Sequence, residues 1–308
     1  MYHFGMKGKT IILAAGITLA LSAYAGKDLS FDRQLTLEAS RIDGLEVDAG
    51  AGHMEILGAD VDLITVEATI ESDKYSNMEE LEEAFADHME FELKRDQGFA
   101  LLKAKNKDKL MSFKSPEISI HLTIKVPQSF DLIVDDGSGH IKISDIDGSV
   151  EVDDGSGHLE LSNIKDEVEI DDGSGHIELS NIQSTVEIDD GSGNVIAKDI
   201  TGDFTIDDGS GEIKLKQMGG NVNIEDGSGA INAKHIAGNF TVDDGSGSID
   251  VTDLKGKFKL IDDTYNNDIF GIGRDDNQGL HQSISRSVNS DALLTLSVAN
   301  DFTSTNIG

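Results

Sequence analysis

An 18-residue repeat constrains the fold of this chain more than any other feature. The tripeptide Gly-Ser-Gly recurs seven times, with no insertion or deletion between copies. Its serines are Ser138, Ser156, Ser174, Ser192, Ser210, Ser228 and Ser246. Loops that join independent strands vary in length, whereas the stacked rungs of a coil lose register if one rung changes length. The repeat therefore favours a solenoid over an antiparallel sandwich.

Each copy contains two short segments with the alternation of half-buried β-strands. In the second copy, Leu159 and Leu161 flank Glu160, and the same pattern returns at residues 168–170. We predict an all-β, right-handed β-solenoid with 18-residue rungs, because parallel crossover connections are right-handed. At a strand spacing of about 4.8 Å, seven rungs with five apolar columns inside would be roughly 34 Å long.

The first 25 residues have the pattern of a secretory signal peptide. Lys7 and Lys9 precede an apolar run that ends in Ala23-Tyr24-Ala25, the small-x-small form of a cleavage site. The run is shorter than the roughly 20 apolar residues needed to span a bilayer. We therefore predict that residues 1–25 are removed and that the mature chain is not inserted in a membrane. Its predicted location is extracytoplasmic: the periplasm, the outer surface or the medium.

The segments that flank the repeat differ from it, as solenoid ends must in order to cover unpaired strand edges. We predict an N-terminal β-rich cap at 26–134, a seven-rung solenoid at 135–260, and a C-terminal cap with a closing strand at 261–308. The N-terminal cap begins with a degenerate copy of the repeat, LEVDAGAGHMEI, at 45–56.

One amphipathic helix is predicted within the N-terminal cap. Ser76 and Glu79 have the spacing of a capping box, which marks a helix start. The apolar residues that follow share one helical face: Met78, Leu81, Phe85 and Met89.

The net charge limits the classes of partner that the chain can bind, and the cysteine content limits the interactions that can stabilise its fold. Loss of two lysines with the signal peptide changes the formal net charge from −33 to −35. Such a charge opposes binding to nucleic acid and to anionic lipid, and it is compatible with cations or cationic surfaces. The chain has no cysteine, so apolar burial and backbone hydrogen bonds must stabilise the fold without disulfides.

The order of these features resembles a known bacterial family. A degenerate G-x-G copy, a variable insert, a strand ending in IKVP and then G-S-G-x-I repeats are similar to the putative-adhesin family, whose units are called toast-rack domains. The resemblance covers most of residues 35–260, and its most specific part is LTIKVPQSFDLIVDDGSGHIKI at 122–143. It implies a right-handed β-solenoid on or outside the envelope, with no catalytic motif. Aspartate before G-S-G departs from the family pattern, which tolerates Ser, Thr or Asn there.

Two acidic residues precede each Gly-Ser-Gly, and strand alternation predicts opposite directions for them. The first acids should face solvent and form an outer column: Asp135, Asp153, Asp171, Asp189, Asp207, Glu225 and Asp243. The second acids should point to the inside of the bend and form an inner column: Asp136, Asp154, Asp172, Asp190, Asp208, Asp226 and Asp244. There each carboxylate can accept hydrogen bonds from the backbone amides that follow, as in Asx turns.

The same fourteen acids are candidate calcium ligands. Carboxylates stacked about 5 Å apart repel by roughly 1 kcal/mol in water, and a divalent cation would relieve that repulsion. Carboxylate and turn carbonyl oxygens are the ligands that calcium prefers. The order of aspartate and glycine is, however, the reverse of that in a calcium-binding β-roll. The sequence therefore leaves open whether the acids bind calcium or only shape the turn.

Histidine follows Gly-Ser-Gly in three successive copies, at His140, His158 and His176, and His53 occupies the same place in the degenerate copy. Adjacent imidazoles could hold zinc or copper together with the glutamates two residues further along. An exposed polar position is the alternative interpretation, because later copies have Asn, Glu, Ala and Ser there.

No catalytic residue and no cofactor-binding residue is predicted. Glycoside hydrolases use two carboxylates in differentiated environments, whereas here one pair recurs seven times. Tryptophan is absent and aromatic residues make up 5% of the chain, which leaves few platforms for stacking sugars. No cofactor is expected, although calcium is a candidate.

These observations predict a non-enzymatic, adhesin-like structural or interaction protein that presents a rigid acidic surface to a protein or cell-surface partner. Two alternatives stay open at this point: a calcium-binding envelope or matrix protein, and an envelope-stress signalling component, the latter implied by the family resemblance.

Overall fold

The computed structural model of the protein describes residues 29–107 and 117–261, together with the backbone of two short strands at 286–288 and 292–297. The predicted signal peptide at 1–25 lies outside the described residues, as does the rest of the predicted C-terminal cap. Within the described ranges, no helix has the length and apolarity needed to cross a membrane.

The N-terminal part consists of seven strands and one helix. They are β1 (Leu29–Glu38), β2 (Gly44–Ala49), β3 (Ala51–Ala59), β4 (Leu63–Ser72), α1 (Met78–His88), β5 (Met89–Asp96), β6 (Phe99–Asn106) and β7 (Ser119–Pro127).

The repeats contribute two strands per rung. They are β8 (Asp131–Asp136), β9 (Ser138–Ile146), β10 (Val150–Asp154), β11 (Gly157–Ile164), β12 (Val168–Asp172), β13 (Gly175–Ile182), β14 (Val186–Asp190), β15 (Gly193–Ile200), β16 (Phe204–Asp208), β17 (Gly211–Met218), β18 (Val222–Asp226), β19 (Gly229–Ile236), β20 (Phe240–Asp244), β21 (Gly247–Leu254) and β22 (Phe258–Ile261). Two further strands follow, β23 (Arg286–Val288) and β24 (Ala292–Ser297).

The strands form two sheets, and each repeat strand pairs in parallel with the strand 18 residues away. One sheet has 13 strands in the order β1-β4-β7-β3-β9-β11-β13-β15-β17-β19-β21-β24-β23, and the other has 11 in the order β22-β20-β18-β16-β14-β12-β10-β8-β2-β6-β5. Leu159 lies opposite Ile177 in the first sheet, and Val152 lies opposite Ile170 in the second. The β-solenoid prediction is confirmed, because a sandwich would pair its strands antiparallel.

The interior of each rung holds five apolar side chains and one aspartate. In the rung that begins at β10, the buried apolar residues are Val150, Val152, Leu159, Leu161 and Ile164. Buried residues at the same five positions recur in the other rungs, so the predicted five apolar columns are present. The aspartate of the inner column forms a sixth buried column at the corner between the two sheets.

The second corner of each rung contains a residue in the left-handed conformation, which the repeat pattern did not indicate. Seven non-glycine residues there have φ between 56° and 61°: Asp145, Asn163, Asn181, Asp199, Gln217, His235 and Asp253. Five of the seven are Asn or Asp, the residues that tolerate this conformation best. Their side chains also bond between rungs: Asn163 Nδ2 donates to Asp145 Oδ1 at 2.8 Å, and Asn181 Nδ2 donates to Asn163 Oδ1 at 2.8 Å.

The degenerate copy of the repeat forms a rung of the same two sheets. In β2, Val47 lies opposite Val134, and in β3, Met54 lies opposite Ile141. Antiparallel strands then extend both sheets away from the repeats, β4 and β1 beyond β7 in one sheet and β5 beyond β6 in the other. Both sheets therefore continue without interruption across residue 134.

The predicted helix is present, but its cap lies one residue later than the capping-box pattern indicated. Asn77 is the N-cap, and its Oδ1 accepts a hydrogen bond from the Glu80 amide at 3.0 Å. The Ser76 amide donates to Glu80 Oε2 at 3.2 Å. Asn caps a helix as well as Ser does, so the neighbouring residue takes the role. Leu81 is fully buried, whereas Met89 belongs to β5.

Candidate functional site

The outer column of acids lies at the corner of the solenoid, on the solvent side. Asp153 lies opposite Asp135 on one neighbouring strand and opposite Asp171 on the other. Six of the seven outer acids are exposed, and Asp243 is half-buried. Solvent can therefore screen the repulsion between them, and any cation could reach them directly.

The inner column is buried, as strand alternation predicted. All seven of its aspartates are 9% exposed or less. In five of them, Oδ1 accepts a hydrogen bond from the backbone amide of the serine two residues on, at 2.9–3.1 Å. These five are Asp154, Asp172, Asp190, Asp208 and Asp226. This confirms the Asx-turn interpretation of the second acid.

The other carboxylate oxygen of the inner column lacks a hydrogen-bond partner at six positions. Burial disfavours the charged form, and it raises the pKa of Asp136 and Asp226 to about 7. Burial likewise raises the pKa of Asp154 and Asp190 to about 6. At Asp136, Asp190 and Asp226, the charge of an aspartate one rung away adds to the rise. Asp136 and Asp226 are therefore partly protonated near neutral pH.

The burial of the inner column separates the fourteen candidate calcium ligands into two unlike sets. Calcium takes six to eight oxygen ligands, and the inner carboxylates lie beneath the turn, where one oxygen is already bonded to a serine amide. The outer acids form a single file in which each neighbour is one strand away. The turn is thus built to shape the backbone, and calcium binding by the outer column stays an alternative prediction.

We expect millimolar calcium to change the melting temperature no more than matched ionic strength does. Among the residues that the structure describes, no three carboxylates bring their ligand oxygens within 4.8 Å of one another. The measurement is thermal melting in CaCl2 against NaCl of equal ionic strength, with calorimetric titration alongside. A larger rise in calcium, together with saturable heat, would instead establish calcium sites in the outer column.

A histidine ladder crosses the outer face of the 13-stranded sheet. It consists of five histidines on the adjacent strands β7, β3, β9, β11 and β13: His121, His53, His140, His158 and His176. Ring centroids lie 4.9 Å apart for His53 and His140, 4.6 Å for His140 and His158, and 5.0 Å for His158 and His176. The three histidines predicted from the repeat are therefore brought together.

His121 was missed by the sequence reasoning, because a long insert separates its strand β7 from β3, the strand with which it pairs. Its Nδ1 accepts a hydrogen bond from the His53 amide at 3.0 Å, which places it at the end of the histidine ladder. The signal that could have found it is the alternation of the strand SIHLTIKVP, whose histidine precedes a buried leucine just as His53 precedes buried Met54.

Only part of the histidine ladder has free ligand atoms. His140 Nε2 is buried without a hydrogen-bond partner, whereas His176 Nε2 lies 2.9 Å from Glu178 Oε1. Burial lowers the pKa of His140, and the neighbouring His158 and His53 lower it further. His140 is therefore a neutral imidazole at neutral pH. Within the described part of the chain, one group has three candidate metal-ligand atoms within 4.8 Å of one another: His140, His158 and Glu160.

A shallow depression of about 690 Å³ lies where the first rung meets the N-terminal strands. Its lining includes Glu38, Asp60, Asp62 and Asp147, but no histidine, lysine or arginine. It therefore offers carboxylates without a cation that could stabilise negative charge developing in a reaction.

Comparison with protein families gives two matches. The family described as Toastrack DUF4097 matches residues 42–263, and a family described as a domain of unknown function (DUF8202) matches residues 259–308. The first match spans well over half of the chain, from the degenerate rung to β22. No curated protein matches the chain.

Three solved structures are similar to the chain at low identity. One is described as a putative lipid binding protein from Parabacteroides distasonis, with 15% identity, a TM-score of 0.48, and coverage of 75% of this chain and 93% of that chain. A putative adhesin from Parabacteroides merdae has 12% identity, a TM-score of 0.35, and coverage of 75% and 92%. A putative cell adhesion protein from Clostridium sporogenes has 13% identity, a TM-score of 0.32, and coverage of 67% and 99%.

Proposed function

The chain belongs to the toast-rack family, and from that premise we propose that it is a non-enzymatic, adhesin-like β-solenoid that acts outside the cytoplasm as a rigid acidic interaction surface. The observation that carries this proposal is the in-register parallel stacking of the rungs. Because each strand lies opposite its copy 18 residues away, exposed side chains recur along the solenoid at the spacing of adjacent strands.

The 11-stranded sheet carries the most regular part of this surface. Glu151, Glu169 and Glu187 form one exposed column there, and the outer column of acids runs beside it through Asp153 and Asp171. Two parallel rows of carboxylates on a stiff support favour a cationic partner with a repeating or extended surface. Charge steering of this kind speeds encounter and weakens as salt rises.

The site chemistry supports binding rather than catalysis. A general acid and a general base in one active site need different pKa values. The pKa values of the inner aspartates are instead raised in every rung. Their carboxylates are also buried, so no substrate reaches them without opening the turn. The acidic depression near the first rung lacks a cationic side chain.

A strain that lacks the gene is expected to attach less to surfaces and to aggregate less than its parent. Complementation with the wild-type gene should restore both properties. A gene in which Glu151, Glu169 and Glu187 are changed to Gln should restore them only in part, because the fold is kept and the charge is lost. Unchanged attachment and aggregation in the deletion strain would contradict the proposed function.

A further inference from the structure

We propose that the histidine ladder holds a divalent transition-metal ion of the zinc class, with His140, His158 and Glu160 as its protein ligands. This inference does not depend on the adhesin-like function, because it concerns the opposite sheet and a different set of side chains. It is also independent of the two columns of acids.

The geometry of the three groups fits one ion after small side-chain rotations. Their ligand atoms lie within 4.8 Å of one another. A tetrahedral zinc site with metal–nitrogen bonds of about 2.0–2.1 Å places its ligand atoms about 3.3 Å apart. The two rings stand on adjacent paired strands with centroids 4.6 Å apart, so rotation of the side chains can bring their nitrogens closer together. A water molecule would complete the coordination.

The imidazole of His140 also fits, because one of its ring nitrogens is unused. Its Nε2 has no hydrogen-bond partner although it is shielded from solvent. An unpaired buried nitrogen is unfavourable, and a metal ion would satisfy its lone pair.

Lys142 occupies part of the site when the metal is absent. Its Nζ lies 2.9 Å from Glu160 Oε1, and the two side chains are about equally half-exposed. The ammonium group of Lys142 neutralises the Glu160 carboxylate that the metal ion would bind. The metal ion must therefore displace the ammonium group. Lys142 therefore acts as a built-in competitor that lowers metal affinity.

The donor set decides the class of ion. Two imidazoles and one carboxylate favour Zn²⁺ or Cu²⁺, whereas Ca²⁺ and Mg²⁺ prefer oxygen ligands alone. His176 is already engaged by Glu178, so it lies beside the site and is not counted among the ligands.

The test is calorimetric titration of ZnCl2 into the full chain without the predicted signal peptide, at neutral pH and in moderate salt. We expect one zinc ion per chain. His140→Asn and His158→Asn should each weaken binding about tenfold or more, since each removes a ligand. Asparagine already occupies the matching position on β15, where Asn194 lies opposite His176, so these variants should fold.

Two further substitutions distinguish the role of Glu160 as a ligand from the role of Lys142 as a competitor. Glu160→Gln should weaken zinc binding, and Lys142→Gln should tighten it several-fold, because it releases Glu160. His88→Asn is the matched control, since His88 is an exposed histidine at the end of α1, and it should leave the affinity unchanged.

Equal zinc affinity in wild type, His140→Asn and His158→Asn would overturn the proposal, because zinc would then be held by scattered surface carboxylates. If Glu160→Gln does not weaken binding, Glu160 is not a ligand and the proposed three-ligand site is wrong. If Lys142→Gln weakens binding, Lys142 does not compete with the metal ion and the proposed arrangement is likewise wrong. Binding should also weaken at acidic pH, because protons compete with the metal ion for the imidazole nitrogens.

Discussion

Replacing Gly211 by alanine is expected to destabilise the solenoid by about 4 kcal/mol or more, among the largest effects of any single substitution. Gly211 has φ of +156°, and a Cβ atom built there would lie 1.4 Å from the carbonyl oxygen of Gly193 on the preceding rung. That backbone region is essentially restricted to glycine. Alanine would therefore be strained within its own turn and would force two stacked turns apart.

The measurement is urea unfolding followed by far-UV circular dichroism. Ser210→Ala is the control in the same turn: the backbone amide of Ser210 still donates to Asp208 Oδ1, so we expect a change within about 0.5 kcal/mol. An ordinary mutation changes the free energy of unfolding by about 1 kcal/mol. If the free energy of unfolding of Gly211→Ala lies within that range of wild type, the turns are not closely stacked.

The second large effect is a gain in stability from Asp190→Asn at high pH. Burial, followed by the charges of Asp208 and Asp172, raises the pKa of Asp190 to about 6. Asparagine keeps the acceptor for the Ser192 amide and removes the buried charge. Its NH2 group can also donate to an unpartnered carboxylate oxygen one rung away. A difference of about two pKa units corresponds to about 3 kcal/mol, so we expect Asp190→Asn to be more stable by about 1–3 kcal/mol at pH 8.

The sign of the pH dependence follows from proton linkage. The folded pKa of Asp190 lies above the unfolded value, so the folded state binds more protons between about pH 4 and pH 6. The contribution of Asp190 to the stability of the wild type is therefore fully present below about pH 4, and it is lost as the pH rises through about 6. The advantage of Asp190→Asn should fall below about 1 kcal/mol by pH 4 and vanish near pH 3, where the carboxyl is mostly protonated in both the folded and the unfolded state.

Asp189→Asn provides the charge-matched control for this experiment. Asp189 precedes Asp190 and is exposed, so the variant makes the same change in net charge without touching the core. We expect its melting temperature to differ little from wild type at either pH. If both variants stabilise the protein equally, general charge repulsion is responsible and the burial argument is wrong.

The rung itself could be predicted in detail from the sequence, because its constraints are local and repeat without a break. Alternation around Glu160 and Glu169 assigned the strands, and the same alternation placed Asp172 inside the turn and Asp171 outside. Because side chains alternate between the two faces of a strand, burial of one face determines the direction of every side chain. This is why the five apolar columns and the two columns of acids were predicted correctly.

Some of the features that were missed depend on contacts between segments far apart in sequence. Others depend on local alternatives of similar free energy, such as two possible capping residues. His121 joins the histidine ladder only because β7 pairs with β3, a pairing that spans the insert containing α1. The left-handed corner at Asn163 has no glycine to mark it. The helix cap at Asn77 competes with Ser76 one residue earlier, and the two residues are similar in capping strength.

The raised pKa values of the inner column could not be predicted from alternation alone. Alternation places a carboxylate inside the turn, but it does not say how many hydrogen bonds that carboxylate receives. The structure shows one bond to the serine amide and a second oxygen without a partner. Two or three amide bonds would have lowered the pKa, whereas one bond leaves desolvation dominant.

The central claim is that the Asp-Asp-Gly-Ser-Gly turn is a structural corner with a buried, partly protonated aspartate. Carboxyl ¹³C NMR titration of aspartate-labelled protein tests it most directly. The apparent midpoints should lie near 7 for Asp136 and Asp226 and near 6 for Asp154 and Asp190. If these four carboxyls instead titrate near 3.9, the value of free aspartate, they are open to solvent and the structural account of the turn is wrong.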